Sequence, residues 1–285
     1  MATTVDRALT WREEKDDELD VRADRRERRQ AQWRRIGIGA TGLVGLVVAW
    51  QIAGVLWDDS VILPTPIHTA QSFVHYLTHP YPSNGNTLWQ DLLISLRRIL
   101  IGFAGGVALG VAIGAAMFNS QRLRHLIDPL IEATRPLPPL AFIPLLIVWF
   151  GIGELPKELL IIVGIVPIMV VSTVAALDQV PEDLQLCART LGATRAYTLW
   201  HVQIRAALPG IITGMRISMG GAWTSIVAAE MVAATSGLGY VINLAGNYLN
   251  TSIVFSGIIM IGLAGLLLDA SLRGLLRWAD PSRRA

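Results

Sequence analysis

Cysteine occurs once in these 285 residues, at Cys187, so no disulfide within the chain can brace the fold. Lysine occurs twice, at Lys15 and Lys157, and neither closes a Gly-x-x-x-x-Gly-Lys-Ser/Thr loop. The chain therefore has no P-loop and is not itself a P-loop ATPase. Charged residues make up only 16% of the chain against 52% hydrophobic ones, far too apolar a balance for a soluble domain of this length. No catalytic constellation stands out either: serines and histidines approach one another in sequence only within loops that lack an orienting acid. His68, His75 and His79 have spacings that invite a metal, but no cysteine joins them and carboxylates nearby are few. They read as surface histidines, and the chain reads as neither an enzyme nor a metal protein.

What the sequence does have is long uncharged apolar runs. A bilayer crossing needs about 20 apolar residues. Runs at 36–56, 99–118, 136–153, 159–177 and 252–268 qualify, and a further one at 206–234 is interrupted by Arg216 and Glu230. The expected fold class is an all-α, polytopic membrane protein with six transmembrane helices. Trp50, Trp57, Trp89 and Trp149 fall near the predicted outer interfaces, where indole rings are favoured.

Residues 1–35 hold ten basic and nine acidic residues and read as a solvated charged tail with a topogenic role, not as a cleavable signal. The remainder divides into a membrane domain at 36–278 and a short terminal tail at 279–285. Basic residues set the orientation. The tail, Arg122 and Arg124, Arg189, Arg195 and Arg205, and Arg273, Arg277, Arg283 and Arg284 all fall on one side of a six-span arrangement. The opposite loops, 57–90, 151–158 and 235–251, carry only Lys157. Both termini are expected in the cytoplasm. Arg97 and Arg98 then lie near the outer end of the second span, which is expected to start near Trp89 and to be long and partly shielded.

The most patterned polar stretch is 181–209. Pro181, Glu182 and Asp183 suit the first turn of a helix. Leu184, Ala188 and Leu191 follow on one face at helical spacing. Gly192 ends that helix in a left-handed conformation, and Ala193 and Thr194 lead into a second, capped by Thr194, with Ala196, Leu199 and Trp200 as its apolar stripe. Two short helices joined at a glycine would project from the membrane as a grip for a partner.

Inside the spans, Gly102, Gly105, Gly106, Gly110 and Gly114 line the second at spacings that favour close helix approach. The third opens with Pro136, Pro138, Pro139 and Pro144, so its start cannot be regular helix. Such a break shapes a conduit or merely kinks the helix. Intramembrane ionisable groups are functional candidates by default. Arg216 and Glu230 are fourteen residues apart, about 21 Å along a helix, so each must pair elsewhere. Arg216 lies at the depth of Glu132 and Asp269, serving either packing or an anion, and Glu230 lies close to the outer surface. With Trp223, Ser225, Pro138 and Pro139 they form the candidate substrate pathway.

The 181–209 stretch resembles the cytoplasmic signature of ABC importer permeases. Ala188 and Gly192 match it, while Leu186, Cys187 and Arg205 stand where Glu, Ala and Pro are usual. From about residue 87 to 273 the chain is similar to the nitrate, sulfonate, taurine and bicarbonate importer permeases, above all to the taurine permeases. The resemblance is carried by Arg135-Pro136-Leu137-Pro138-Pro139-Leu140-Ala141, Trp149-Phe150-Gly151-Ile152-Gly153 and the stretch at 227–251. It implies a type I importer permease fold, and a coupling role for Leu184, Cys187, Ala188, Leu191, Gly192, Ala193, Thr194 and Arg195 against a cytoplasmic ATPase. The implied partners are a second copy of the chain, two ATP-binding subunits holding ATP and Mg, an external substrate-binding protein and membrane lipid. The implied location is a bacterial inner membrane. Neither a cofactor in this chain nor a nucleic-acid partner is expected. Taurine or another alkanesulfonate is the expected cargo, with nitrate, bicarbonate or an aromatic carboxylate as the alternative; a membrane scaffold or channel without an ATPase is the reading from a different class.

Overall fold

The computed structural model describes residues 34, 37–57, 59–81 and 85–279. The charged tail at 1–35 and the terminal segment at 279–285 fall outside these, apart from Arg34 and Ala279. The chain divides into two compact units, Met1–Ile67 and His68–Ala285. In the first, α1 (Gly37–Trp57) is long and apolar enough to cross a membrane. Within that unit the Trp50 indole donates to the Pro64 carbonyl at 3.0 Å, tying the helix to the turn that follows.

The second unit is all-helical, with no strand among its described residues. It comprises α2 (Pro66–Thr78), α3 (Leu88–Asn119), α4 (Gln121–Thr134), α5 (Ile143–Phe150), α6 (Leu155–Asp178), α7 (Glu182–Thr190), α8 (Arg195–Tyr197), α9 (Ile204–Ala233), α10 (Leu238–Asn247) and α11 (Thr251–Ala279). Helix α3 opens with a full capping box: the Thr87 hydroxyl accepts from the Gln90 amide, and the Gln90 side chain accepts from the Thr87 amide. It begins one residue before Trp89 and runs for 32 residues, long enough to carry Arg97 and Arg98 as expected.

Four glycines of α3 explain how the core closes. Gly102, Gly106, Gly110 and Gly114 recur every fourth residue and face Ile161, Ile165, Met169 and Thr173 of α6, which recur at the same interval. A methyl group on Gly102 would sit 2.8 Å from Ile161 Cβ, and one on Gly114 2.8 Å from Thr173 Cβ. The two backbones approach so closely that only hydrogen fits between them, which in lipid is the chief source of helix association. Helix α9 packs on the other flank of α6, with Gly210 against Ala176 and Gly214 against Ser172. Ile99, Phe103, Ile165, Trp223, Ile226, Leu238 and Ile253 make the main core across α3, α6, α9, α10 and α11.

Among the described residues α1, α3, α6 and α11 are each long and apolar enough to span a membrane, and counting each of two bent pairs as one span gives six. One pair stands at the expected third span. As expected from its prolines the start is not regular helix: a 3₁₀ turn (Pro139–Phe142) leads into the eight-residue α5, and this segment meets α4 at 95°, so that α4 and α5 together make the broken span. Pro136, Pro138 and Pro139 withhold the amides a continuous helix would need. The other pair is α9 and α10, bent by 52° at residues 234–237. Residues 238–247, expected as part of an outer loop, are therefore helical, with Leu238, Val241 and Ala245 buried.

Candidate functional site

Three places on this frame gather the chemistry. The first is the turn between α7 and α8. Gly192 has φ +83°, the left-handed conformation expected of it. The Ala193 amide donates to the Ala188 carbonyl at 3.0 Å and the Gly192 amide to the Arg189 carbonyl at 3.0 Å, the paired bonds of a Schellman ending. Thr194 then caps α8 by accepting from the Tyr197 amide at 3.3 Å. Ala188 is buried, whereas Leu184, Cys187, Leu191, Gly192, Thr194 and Arg195 are exposed and Ala193 is half-buried. Leu191 leaves 87% of its surface uncovered, an unusual state for a leucine inside a structured turn. The second short helix differs from expectation. Arg195–Tyr197 runs through a π-helical stretch, Thr198–Gln203, directly into α9, so it is the start of a span. Leu199 is buried at that junction, while Trp200 remains half-exposed.

The second place is a groove of about 780 Å³ where the α4–α5 break meets α6 and α9. Of the expected pathway residues it brings together Pro138, Pro139 and Ser225. Its walls are mostly apolar, with Thr224, Ser225 and Arg135 as polar points. A methyl group on Gly164 would lie 2.7 Å from Ser225 Oγ and 3.2 Å from Pro139, so this glycine lets the break lie close to α9. Arg216, Trp223 and Glu230 line no part of this groove. Trp223 is a core residue. Arg216 Nε donates to Asp269 Oδ1 at 2.9 Å, choosing Asp269 over Glu132, the two carboxylates at its depth.

The third place was not anticipated. Arg98 is 2% exposed and reaches three separate elements. Its Nε and Nη2 donate to Glu154 at 2.6 and 2.8 Å, its Nη1 to Glu230 at 2.8 Å, and the same Nη1 to the Ser236 carbonyl at 2.8 Å. Glu230, fully buried, also accepts from Ser95 Oγ at 2.8 Å and from the Gly239 amide at 2.9 Å. Asp91 accepts from the Gly237 amide at 2.8 Å, and Ser95 Oγ accepts from the Leu238 amide at 3.0 Å. Asp91, Ser95 and Arg98 thus hold the first amides of α10 and the break before it, where Gly237 takes φ +108°. A methyl group there would sit 2.5 Å from the Glu230 carboxyl carbon, so only glycine lets the carboxylate come this near. On the other side, Glu154 ties in the α5–α6 turn and also accepts from Lys157 Nζ at 3.0 Å and Arg97 Nη2 at 3.1 Å. The Arg98 guanidinium, helped by Lys157, draws the Glu154 carboxyl down to about 2 against the opposing effect of its partial burial. Asp91, Ser95 and Arg98 stand at i, i+4 and i+7 of one face, a spacing visible in the sequence.

The histidines separate: His68 meets Ser252 Oγ at 2.9 Å, while His75 and His79 stack at 4.3 Å. Among the described residues no three His, Cys, Asp or Glu side chains converge as a metal site.

Comparisons with known proteins agree with this architecture. Residues 106–285 match the family described as binding-protein-dependent transport system inner membrane component. The taurine transport system permease protein TauC of Escherichia coli (strain K12) is 38% identical over 260 residues, covering 89% of this chain and 94% of that protein. A putative aliphatic sulfonates transport permease protein, SsuC of Bacillus subtilis (strain 168), is 35% identical over 245 residues, covering 82% of this chain and 85% of its own. Among solved structures, an inward-facing MetNI methionine ABC transporter superposes with a TM-score of 0.56 at 20% identity, covering 68% of this chain and 94% of that one, a likeness of fold. The fold is that of a type I importer permease, all-α and multi-pass. The chain belongs to the binding-protein-dependent transport system inner membrane component family, and it is a non-enzymatic membrane subunit of a transport system.

Proposed function

We propose that this chain is the pathway-forming permease of an ATP-driven importer for a small organic anion, taurine or another alkanesulfonate. The observation that carries the substrate class is the 38% identity to a taurine permease along nearly the whole of both chains. Two copies form the conduit. Two cytoplasmic subunits bind ATP and Mg and hydrolyse the ATP, and a binding protein outside the membrane delivers the anion. The α7–α8 turn, with exposed Leu184, Leu186, Cys187 and Leu191, supports the reading of a docking face for the ATPase. The basic residues gathered on one side of the spans support a cytoplasmic turn and cytoplasmic termini, with lipid around the outer helix faces.

The groove at the α4–α5 break, with Pro138, Pro139 and Ser225, supports a pathway in which one half is contributed by each copy. Reconstitution of the permease with its ATPase and binding protein tests the proposal. Taurine-loaded binding protein is expected to stimulate ATP hydrolysis and uptake. Stimulation by nitrate, bicarbonate or an aromatic carboxylate, with none by any sulfonate, would overturn the substrate class. Uptake unaffected by removal of the ATPase would overturn the importer reading in favour of a channel.

A further inference from the structure

Beside the Gly192 turn lies a second pocket, about 290 Å³, between α7, the α8–π segment and the end of α3. Its polar lining is made of Arg189, Arg195, Gln185, Gln203, Asn119 and Thr198, and no carboxylate contributes to it. Two guanidinium groups therefore converge on a space with no acidic counterpart. Neither Arg189 nor Arg195 forms an ion pair among the described residues, in a chain where Arg98, Arg124, Arg216 and Arg273 all do. Gln203 closes the base. The residue is only 6% exposed, it lines the pocket, and its side chain forms no hydrogen bond among the described residues. The side chain has hydrogen-bonding capacity left over that an occupant of the pocket can take up. Gln203 ends the π-helical stretch, and such irregular turns re-aim side chains and recur at functional sites.

We propose that this pocket is a binding site for a small oxyanion: sulfate, phosphate or the sulfonate group of an alkanesulfonate. Arg guanidinium groups match the planar pairs of oxygens such anions present, and the Gln203 amide supplies a neutral donor at the floor. The pocket is distinct from the apolar docking face. On the α7 wheel Gln185 and Arg189 project about 150° from the direction of Leu184, Cys187 and Leu191 at 3.6 residues per turn. The occupant is therefore a free ion or head group reaching the flank of α7, while the leucines remain available to a protein partner. An anion bound here bridges Arg189, before Gly192, to Arg195, after it, and so clasps the two limbs of the turn. The site goes beyond the transport reading and does not rest on it, since binding is measurable on the permease alone.

The test uses the purified full-length chain in nanodiscs. Sulfate, phosphate and taurine are titrated by calorimetry in neutral phosphatidylcholine discs, and the same discs are then prepared with anionic phosphatidylglycerol. Saturable sulfate or phosphate binding is expected, weakened by about tenfold or more in Arg189→Gln and in Arg195→Gln. Gln203→Leu, which keeps both charges and most of the volume, is expected to weaken it as well and covers the case in which an arginine variant misfolds. Binding of soluble anions in neutral discs identifies a free ion as the occupant. Loss of that binding in anionic discs identifies a lipid head group competing for the same two guanidiniums. Absence of binding in neutral discs with no effect of anionic lipid, or binding unchanged in all three variants, would overturn the proposal.

Discussion

Arg98 is the residue that ties the α5–α6 turn to α9 and the break before α10. Its charge is buried, and so is that of Glu230. Burial of such a pair is costly unless the remaining hydrogen-bonding capacity is filled, and here Ser95, the Gly239 amide, Glu154 and Ser236 fill it. Replacing Arg98 by Leu strands Glu230, at an expected cost of about 3–5 kcal/mol, read as loss of folded protein in detergent denaturation. Adding Glu230→Gln removes the stranded charge while keeping an acceptor for Ser95 and Gly239, so the double variant is expected to recover much of the loss. A double variant no better than the single would show that Arg98 acts by packing alone. Glu154 sets the pH behaviour. Its carboxyl is drawn from an ordinary 4.5 down to about 2, chiefly by Arg98. A carboxyl with a depressed folded-state value contributes stability above its unfolded value and loses it as pH falls toward the folded one. Wild type is therefore expected to melt above Glu154→Gln by a constant margin from pH 7 to about pH 5, and that margin should shrink between 4.5 and 2. A margin that vanished near pH 6 would point to a different titrating group.

At the scale of elements, two glycine positions divide the molecule's needs. Gly110 stands where α3 presses on Met169 of α6, and Val there overpacks a contact that has no slack. The expected cost is about 1–3 kcal/mol with reduced yield of folded protein, measured by fluorescence-detected size-exclusion chromatography. Gly192 is the reverse case: nothing lies within 4 Å of an added methyl, so its constraint is only the backbone φ of +83°. Val at this position costs roughly 1–2 kcal/mol locally. Asn tolerates the left-handed region and is expected to keep function. Substrate-stimulated ATPase activity should fall in Gly192→Val and hold in Gly192→Asn, with both variants inserted normally. Equal activity in all three would remove the turn from coupling. Gly192 was legible in the sequence because helix endings are local; depth counted along the helices narrowed the partner of Arg216 to Glu132 or Asp269, but only packing chose Asp269. The Arg98 network was not legible. It joins residues 56 and 132 positions apart through a guanidinium, and no local pattern says which of several outer carboxylates it will meet. The prolines announced a break at 136–139 but not its 95° angle, which is set by how α5 fits beside α6. The π-helical entry to α9, where Leu199 is buried, left no trace in the sequence either.

For the whole molecule, the groove at the α4–α5 break is the feature that a single chain leaves incomplete. Its walls of Leu137, Leu140, Val163 and Val166 are apolar and its mouth is open, although Thr224 and Ser225 on α9 place hydroxyls within it. An open apolar concavity of about 780 Å³ is a poor ending for a pathway but a suitable half of one. If two copies meet about a twofold axis along this groove, each residue beside the axis meets its own counterpart. Thr224 is exposed and lines the groove. Cys187, the sole native cysteine, is exposed on α7 and is first replaced by Ser to give a silent background. In that background Thr224→Cys is expected to form a disulfide-linked dimer in membranes under mild oxidation. A cysteine at Leu267, exposed on α11 and outside the groove, serves as the comparison and is expected to stay monomeric. The reverse outcome, a dimer through residue 267 and none through 224, would place the contact between copies on α11 and leave the groove facing lipid. ATP-dependent closure should change the yield at residue 224, because a pathway that alternates its openings must move the two halves of this groove relative to each other.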